Sequence, residues 1–584
     1  MNDLLFRNAQ VFDGSGGPPV PADVAVSAGR IASISPTRHA GPGWQTGSAA
    51  AREVIDAEGL ALMPGIIDSH THFDAQITWD PLVRPSPALG VTTAVIGNCG
   101  FTIAPCKPEH RDITMRNLTQ VEGMSLEVLR RGIDWGFETF PEYMAQLKRQ
   151  GSVVNIAAYI GHSSVRTYVM GDEASTRAAN AGEIAQMQAI VREAMQAGAC
   201  GFASSTSPAH NGEGGRPMPS RLADEDEMRA LVMAMAEGGR TMAQQGGLAA
   251  GTGGRGVYML TKGGHTSIPF LESLAKDSGR PVMVAALLHN STNPQSVFKD
   301  LDAITQANGR GHRLIGQVSC CPLTMDFTLQ SPYPVEGLLS WKPALGLSGA
   351  ALTAMLSNPN FRDAVRAELA TASHFRLFNG EWNKVQVVET MRPAHARYEQ
   401  RSIADIAGTE SRDPLDVMLD LALADDLKTV FTALLLNSDE DAVGRMLNHP
   451  HSIVSLSDAG AHLTFFTDAG FGLHLLGHWA RDLGALSLSE AVRRLTHQPA
   501  QIFGMAGRGL IREGYAADLL LFDPRTVGRG PKHRVFDLPG GAARLTTDAV
   551  GVHGVWVSGR QVADGTGLLS AAPLAGALLT DFSA

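Results

Sequence analysis

The chain has 584 residues, of which 44% are hydrophobic and 18% are charged, and it contains 63 glycines and 31 prolines. This composition is typical of a globular protein with a large core, and it excludes a collagen or an intrinsically disordered chain. The net charge of −10 excludes the overall positive field that attracts nucleic acid backbones and anionic membranes.

The cysteines and the N-terminal residues bear on the cellular compartment. Five cysteines in a chain of this length do not make a disulfide framework, and Cys320 and Cys321 are adjacent in sequence. The first residues lack the basic region, apolar run and cleavage site of a signal peptide, and no stretch approaches the roughly 20 apolar residues of a membrane span. We therefore expect a cytoplasmic protein with neither nucleic acid nor a membrane as partner. The sequence leaves open whether it is a homo-oligomer.

Strand and turn patterns occupy both ends of the chain. Short alternating segments separated by glycine and proline fill residues 1–60, and similar segments return at 517–527 and 551–562. Chain termini commonly lie close together. We therefore predict that residues 1–60 and 505–584 form one β-sheet domain.

Eight apolar runs in the middle of the chain alternate with amphipathic stretches such as the predicted helix at 178–197. The runs are continuous rather than alternating, which is typical of parallel strands covered on both faces. In chain order they are PGIIDSHTHFD, GVTTAVIGNCG, VVNIAAYIGH, ACGFASSTS, RGVYMLTKGG, RPVMVAALLHN, RLIGQVSCCP and HSIVSLSDAG. Eight strands are the number that a (β/α)₈ barrel needs, and we predict this barrel over residues 61–504.

Three long excursions interrupt the predicted barrel. They follow the second, fourth and seventh strands, at about 107–150, 206–226 and 322–450. Loops after the strands of such a barrel gather at its catalytic end. We therefore expect these excursions on or beside the catalytic mouth.

The first run places His70 and His72 two residues apart on a predicted strand, so their side chains point to the same side. Imidazole pairs of this spacing suit Zn²⁺ and similar ions. The alternative is two unrelated polar residues at a strand end, but the flanking Asp68 and Asp74 favour a polar site. We predict that His70 and His72 bind a divalent ion.

Cys99 follows the second predicted strand and is flanked by Gly97 and Gly100, which let the backbone turn tightly toward a central site. A thiolate is a strong zinc ligand. A lone cysteine after a strand is more often a small buried hydrophobic residue, so the residue pattern alone leaves both interpretations open.

Asp458 ends the last predicted barrel strand, where barrel enzymes carry catalytic groups. A carboxylate there can touch a metal and relay a proton, although an aspartate in this place can also cap the following turn. Four further polar residues follow earlier strands and are candidates for substrate binding or for structural roles: His162, Lys262, His265 and His289.

Together these segments resemble the amidohydrolase superfamily and, within it, the N-acyl-D-amino-acid deacylase branch. The resemblance runs from the N-terminus to about residue 560. The segments that carry it are PGIIDSHTHFD, GVTTAVIGNCGF, AGACGFASS, NSDEDAVGRMLNHPHSIVSLSDAG and LSLSEAVRRLTHQPAQIFGMAGRGLIREGYAADLLLFDP. It implies a distorted barrel with a small β-sandwich domain built from both termini. It also implies zinc, as one or two divalent ions, held by His70, His72, Cys99 and Asp458, with Asp458 also catalytic.

The chain departs from the family pattern at the fifth and sixth strands. The family usually has a histidine at the end of each, where this chain has Thr261 and, in RPVMVAALLHNS, an alanine or leucine, with His289 a few residues later. The lysine that hydantoinase-like relatives carry at the end of the fourth strand is absent from ACGFASSTS. We therefore predict one strongly bound ion rather than two; if two ions are found, His289 is the first candidate for the missing ligand.

These observations predict a metal-dependent hydrolase that cleaves the C–N amide bond of a small molecule, with an N-acyl amino acid as the first candidate substrate. A bound ion lowers the pKa of water from about 15.7 toward about 7, and Asp458 takes the proton and returns it to the leaving nitrogen. Because no arginine follows Asp458 in SLSDAGAHLTFF, a cyclic imide, carbamate or aryl amide is the second candidate. A catalytically inactive scaffold is the third, against which the retained His70, His72 and Asp458 argue.

Overall fold

The computed structural model describes residues 1–37, 50–245, 255–371, 373 and 376–582. Its strands, in chain order, are β1 (Asn2–Val11), β2 (Val20–Ser27), β3 (Arg30–Pro36), β4 (Ala51–Asp56), β5 (Ala61–Pro64), β6 (Ile66–Asp68), β7 (Val91–Ile96), β8 (Asn155–Gly161), β9 (Gly201–Ser205), β10 (Val257–Thr261), β11 (Val282–Leu287), β12 (Leu314–Val318), β13 (Leu323–Phe327), β14 (Val385–Glu389), β15 (Val430–Leu436), β16 (Ser452–Val454), β17 (Leu519–Phe522), β18 (Gly528–Leu538), β19 (Ala542–Val550), β20 (Val552–Val557), β21 (Arg560–Asp564) and β22 (Gly567–Leu568).

The helices, in chain order, are α1 (Arg111–Val121), α2 (Leu126–Gly132), α3 (Phe140–Gln150), α4 (His162–Met170), α5 (Ala181–Gln196), α6 (Glu225–Gln245), α7 (Ile268–Ser278), α8 (Ser296–Gly309), α9 (Gly349–Ser357), α10 (Pro359–Leu369), α11 (Ile403–Glu410), α12 (Pro414–Ala424), α13 (Glu440–Leu447), α14 (Phe471–His474), α15 (Leu488–Leu495) and α16 (His497–Phe503). A π-helical segment, Leu475–Asp482, continues α14. Within the described ranges, no helix combines the length and the apolar character needed to cross a membrane.

Eight parallel strands form the barrel, in the order β6, β7, β8, β9, β10, β11, β12 and β16. A parallel bridge between Thr71 and Ala459 joins the two ends of the sheet, and the main-chain N–H of His72 donates to the carbonyl of Ala459 at 2.8 Å. Each of the eight apolar runs contains one of these strands, and most of their residues are buried. The predicted barrel is therefore confirmed.

One predicted helix begins later than its apolar pattern suggested. Residues 178–197 were expected to be helical, and α5 starts at Ala181 because Asn180 caps it. The side-chain oxygen of Asn180 accepts from the N–H of Glu183 at 3.0 Å, and Glu183 reaches back to the N–H of Asn180 at 2.8 Å. This reciprocal pair satisfies two N–H groups that a helix start leaves free.

Strands from both ends of the chain share a nine-stranded sheet. Its order is β22, β21, β20, β17, β5, β1, β2 and β3, with β4 paired to β1. Phe6 and Trp556, from opposite ends of the sequence, meet edge to face with 4.8 Å between ring centroids. The fold class is therefore the predicted one, a (β/α)₈ barrel with a small β-sandwich domain built from both termini; the exact boundaries at 60 and 505 stay predictions.

Two parts of the segment 505–584 lie against the barrel instead of in this sheet. The hairpin of β18 and β19 pairs with itself, and the N–H of Leu545 donates to the carbonyl of Leu463 at 2.7 Å. Near the C-terminus, Leu578 bridges to Ile156 of β8. The C-terminal segment thus also covers the barrel.

The long excursion after β12 has a core of its own. Strands β13, β15 and β14 form an antiparallel sheet, and α9 to α12 pack beside it around a separate cluster that includes Trp341, Leu419 and Phe431. The excursion after β7 is mainly helical and contains α1, α2 and α3. It delivers Glu122 to the barrel mouth.

Candidate metal centre

His70 and His72 follow β6 at the carboxyl end of the barrel, and both are buried. They lie with Cys99 in a cluster in which one ligand atom from each residue, a ring nitrogen or the sulfur, lies within 4.8 Å of the others. The i, i+2 spacing on an extended chain places both rings on one side. The structure therefore brings together three of the four residues predicted to hold a metal as one set of donors.

Cys99 reaches this cluster because the chain turns sharply after β7. Its backbone is left-handed, with φ of 56°, and Gly100 has φ of +77°. A Cβ atom on Gly100 would lie 2.5 Å from the carbonyl oxygen of Ala203, so only glycine fits at this close approach. The Sγ of Cys99 lies 3.5 Å from Nε2 of His70 and 3.1 Å from Oγ1 of Thr261.

Asp458 completes the group from the other side of the barrel seam. Its Oδ1 is 3.3 Å from Nε2 of His70 and 3.6 Å from Nε2 of His72. The loop that carries it presses on His72, since a Cβ on Gly460 would lie 2.7 Å from the carbonyl of His72. Asp458 also has a left-handed backbone, with φ of 47°, and such strain in a non-glycine residue is concentrated at functional sites.

The outer nitrogens of the two histidine rings have partners of different charge. Nδ1 of His70 donates to Oε1 of Gln317 at 2.9 Å, and Nδ1 of His72 is 3.1 Å from Oε1 of Glu122. Partners of this kind fix the tautomer and orientation of a metal-binding imidazole. Both rings therefore present Nε2 to the space between Cys99 and Asp458.

A cavity of about 70 Å³ surrounds these groups. Its lining residues are His70, His72, Cys99, Phe101, Val121, Glu122, His210, Thr261, Ala286, Leu456, Asp458 and His462. The acidic side chains in this lining are Glu122 and Asp458, and within the described part of the chain no lysine or arginine lines it. The charge of the lining thus favours a cation.

The pKa values of the donor side chains show the same excess of negative charge in the cavity. Burial lowers the pKa of His72, but the charge of Glu122 and a hydrogen bond with Asp458 outweigh it and place the pKa well above the usual value. Burial raises the pKa of Asp458, but its contact with His72 and the charges of His70 and His72 place it below the usual range. Burial likewise raises the pKa of the Cys99 thiol, and the charge of His70 reverses that shift.

Two imidazole nitrogens, one sulfur and one carboxylate therefore converge in a buried, negatively biased cavity. Nitrogen, sulfur and carboxylate oxygen are the donors that zinc prefers. The residues present therefore fit a divalent ion such as zinc, which accepts nitrogen and sulfur ligands. The two neighbouring carboxyl groups differ from Asp458, because burial raises the pKa of Asp68 and of Asp74 to about 7.

Several cavity residues were not selected from the sequence. Nδ1 of His210 shares a hydrogen bond of 2.6 Å with Oγ of Ser205. The ring packs edge to face on Phe101, with 4.9 Å between ring centroids, and burial lowers the pKa of His210 to about 3. His462 lies four residues after Asp458, a proximity in sequence that could have identified it. Glu122 lies in an excursion without a repeating pattern, so no sequence signal indicated it.

The four other predicted candidates lie outside the lining of this cavity. His162 is buried between Ser204 and Glu227. Nζ of Lys262 is 3.2 Å from Oδ2 of Asp300, and His265 is exposed in the turn after β10.

His289 is the fourth. It is buried after β11, where its main chain exchanges two hydrogen bonds with Asn437, at 2.7 and 2.9 Å. Substrate binding by these four residues, and metal binding by His289, stay predictions.

Comparison with known proteins supports an enzymatic interpretation of this geometry. The sequence model of the Amidohydrolase family matches residues 53–314 and 361–563. An N-acyl-D-aspartate deacylase of Alcaligenes xylosoxydans xylosoxydans is 28% identical over 573 residues, which cover 96% of this chain and 92% of the relative.

Solved structures share the fold over nearly the full length. A D-aminoacylase with a binuclear metal centre, described as activated by one metal and attenuated by the second, aligns with a TM-score of 0.64 at 23% identity, covering 99% of this chain and 100% of that one. An N-acyl-D-glutamate deacylase of Bordetella bronchiseptica, in complex with zinc and a phosphonate mimic of the tetrahedral intermediate, aligns with a TM-score of 0.64 at 24% identity and the same coverage.

Proposed function

Because the chain belongs to the amidohydrolase family, we propose that it is a zinc-dependent hydrolase that cleaves the C–N amide bond of N-acyl amino acids. The observation that carries the proposal is the convergence of His70, His72, Cys99 and Asp458 in one buried cavity at the catalytic end of the barrel. The deacylase relative, similar over 96% of this chain, supports this substrate class.

The roles of the residues follow from their contacts. His70, His72, Cys99 and Asp458 would hold the ion, which when bound polarises the substrate carbonyl and lowers the pKa of water. Asp458 is ionised and lies at the cavity, so it accepts a proton from the attacking water and returns it to the leaving nitrogen. Gln317 and Glu122 keep Nε2 of each histidine facing the cavity.

We propose one strongly bound ion. The ends of β10 and β11 contribute Thr261 and Ala286 to the lining, and a methyl group cannot ligate while a hydroxyl is a weak ligand. The hydroxyl of Thr261 instead contacts Sγ of Cys99 at 3.1 Å. Among the residues that the structure describes, the one group of three or more clustered donors is His70, His72 and Cys99.

A second substrate class is favoured by the charge of the cavity. A free carboxylate beside the scissile bond calls for a basic partner, and no lysine or arginine lines the cavity in the ranges that the structure describes. A cyclic imide, a carbamate or an aryl amide needs no such partner. These neutral substrates are therefore the alternative.

The test is a substrate panel run on protein purified without chelator. N-acyl-D-amino acids, their L-enantiomers, cyclic imides, carbamates and aryl amides are assayed with and without added zinc, and the bound metal is measured by mass spectrometry. Zinc-dependent release of a D-amino acid is expected, with about one zinc per chain. Turnover restricted to the neutral amides would replace the first substrate class by the second, and a metal-free protein without turnover would indicate an inactive scaffold.

The cytoplasmic location remains part of this proposal. All five cysteines are free and buried, which is consistent with a reducing compartment. Fractionation of cells that express the protein would test it.

A further inference from the structure

Glu122 reaches the candidate metal centre from outside the barrel. It directly follows α1, where its N–H donates to the carbonyl of Leu118 at 2.8 Å, and its side chain is 3% exposed. Its Oε1 lies 3.1 Å from Nδ1 of His72, an ion-pair distance, and among the described residues neither of these two buried atoms makes a hydrogen bond of standard geometry. The carboxylate is thus directed at the outer nitrogen of one histidine.

The main chain of Glu122 makes a second contact with the site. Its carbonyl accepts a hydrogen bond from the N–H of His462 at 2.5 Å. His462 ends the short segment that begins at Asp458, and its backbone is also left-handed, with φ of 54°. One residue of the excursion therefore holds both the His72 ring and the loop that carries Asp458.

The two histidines offer an internal comparison for what this carboxylate does. The ring of His70 is held by the neutral amide of Gln317, whereas the ring of His72 faces a carboxylate. A carboxylate partner orients an imidazole as an amide does and additionally makes it a more basic ligand. Glu122 therefore adds charge where Gln317 adds only orientation.

We propose that Glu122 is a positioning residue for the metal centre: it keeps Nε2 of His72 facing the ion, strengthens that ring as a ligand through its negative charge and fixes the Asp458 loop, so that the excursion after the second barrel strand sets the affinity for zinc. The inference rests on the metal site in the proposed function. It does not depend on which amide is hydrolysed.

The test measures zinc affinity directly, by competition with a chromophoric chelator. Glu122→Gln keeps the size and the hydrogen-bonding capacity of the side chain and removes the charge. Loss of an outer partner of this kind costs about 10- to 100-fold in metal affinity, and we expect that loss here. In the cobalt-substituted variant at saturating metal, the sulfur-to-cobalt absorption band of Cys99 should keep its wild-type position, because the ligands themselves are unchanged.

Glu272→Gln is the matched control. Oε1 of Glu272 is 2.7 Å from Nδ1 of His312, so this is also a histidine–glutamate pair, but it lies outside the cavity lining. Zinc affinity should be unchanged in this variant. A loss equal to that of Glu122→Gln would show a general effect of removing an acidic side chain and would overturn the proposal.

Further outcomes test the proposal and separate it from the proposed function. Wild-type affinity in Glu122→Gln would overturn the proposal, and so would a folded variant that binds no zinc at any concentration, because Glu122 would then be a ligand. If Glu122→Gln does not fold, Glu122→Ala is measured in its place, and a zinc affinity equal to that of wild type would overturn the proposal. If the wild-type protein binds zinc but cleaves none of the amides, the proposed function is wrong and the role of Glu122 is unaffected. If the wild-type protein binds no divalent ion, both proposals are wrong.

Discussion

Two buried histidine–glutamate pairs occur in this barrel, and they have different surroundings. At the mouth, His72 faces Glu122 at 3.1 Å, with side chains 5% and 3% exposed. Inside the barrel wall, Nε2 of His162 lies 2.9 Å from Oε1 of Glu227, with side chains 0% and 1% exposed. The inner Glu227 also pairs with the guanidinium of Arg166, while no arginine or lysine lines the cavity at the mouth within the described residues.

This difference shows how the two places balance their charge. In the wall, Arg166 neutralises Glu227, and burial lowers the pKa of His162. At the mouth, Glu122 and Asp458 have histidines as their partners, and the pKa of His72 is raised. A buried carboxylate needs a compensating positive charge. The wall contains its own in Arg166, and at the mouth the proposed metal ion would supply it.

The largest expected effect comes from removing both histidines at the mouth. His70→Ala combined with His72→Ala should abolish tight zinc binding and reduce hydrolysis below detection, because two of the four donors are lost. Chelation of the wild-type protein should reproduce the effect. His553→Ala, which removes an exposed histidine of β20 in the terminal sheet, is the control; full activity in the double variant would disprove the metal assignment.

Asp458→Asn should give the next largest loss. The substitution keeps the shape of the side chain and removes the proton acceptor, and general acid–base catalysis contributes about 10² to 10⁴ in rate. We expect kcat to fall by at least about 100-fold while zinc remains bound. An activated ester, which needs little help for its leaving group, should recover part of the rate, whereas an alkyl amide should not.

The measurements for this variant are kcat and zinc content on the same preparation. If the two fell in strict proportion, Asp458 would be mainly a ligand. If activity survived on the alkyl amide, the catalytic assignment would be refuted.

The barrel and its metal donors were predictable for a local reason. Continuous apolar runs such as that before Asp458 identify buried parallel strands, and the i, i+2 spacing of His70 and His72 follows from the geometry of one strand. The inclusion of Cys99 among the donors rested on the resemblance to the family, because the residue pattern alone left two interpretations open. In each case the relevant residues lie on, or directly after, a regular element.

The other features depend on contacts between distant parts of the chain. Glu122 meets His72 from a position about 50 residues later in the chain, and Gln317 meets His70 from β12, two strands away around the closed barrel. The sheet of β13, β14 and β15 joins segments separated by four helices. The hydrophobic periodicity of the sequence cannot predict such pairings, because it indicates only which residues of each helix or strand are buried.

The pair in the barrel wall should affect stability and leave metal binding unchanged. Glu227→Gln leaves Arg166 buried with its charge unpaired, and breaking a buried ion pair costs about 3 to 5 kcal/mol. We expect a lower midpoint of thermal unfolding and wild-type zinc affinity. If zinc affinity fell in Glu227→Gln as much as in Glu122→Gln, the proposed difference between a structural pair in the wall and a metal-positioning pair at the mouth would be wrong.

The same stabilisation should depend on pH. Burial opposes ionisation of Glu227, but its hydrogen bonds and ion pairs with His162 and Arg166 lower its pKa to about 2. Because the pKa is lower in the folded than in the unfolded chain, the contribution is complete above the ordinary value of 4.5 and is lost as the pH falls toward 2. The difference between wild type and Glu227→Gln should therefore narrow below pH 4.5; a constant difference would show that the charge of Glu227 is not responsible.

The smallest expected effect concerns Thr261, whose Oγ1 lies 3.1 Å from Sγ of Cys99. The sequence showed this residue only as a departure from the family pattern, whereas the structure gives its hydroxyl a contact with the sulfur. If the hydroxyl donates to a thiolate, Thr261→Val removes a hydrogen bond to a charged group, which contributes about 1.5 kcal/mol or somewhat more. Zinc affinity should then fall about tenfold, and the pKa of Cys99 in the metal-free protein should rise toward its usual value.

Chelator competition measures the zinc affinity, and the pH dependence of Cys99 alkylation, followed on the peptide that contains Cys99, measures the pKa. Thr261→Ser keeps the hydroxyl and should behave as wild type. Equal losses in the serine and valine variants would mean that packing at the end of β10, and not the hydroxyl, controls the sulfur, and Thr261 would then be a spacer where the family usually has a ligand.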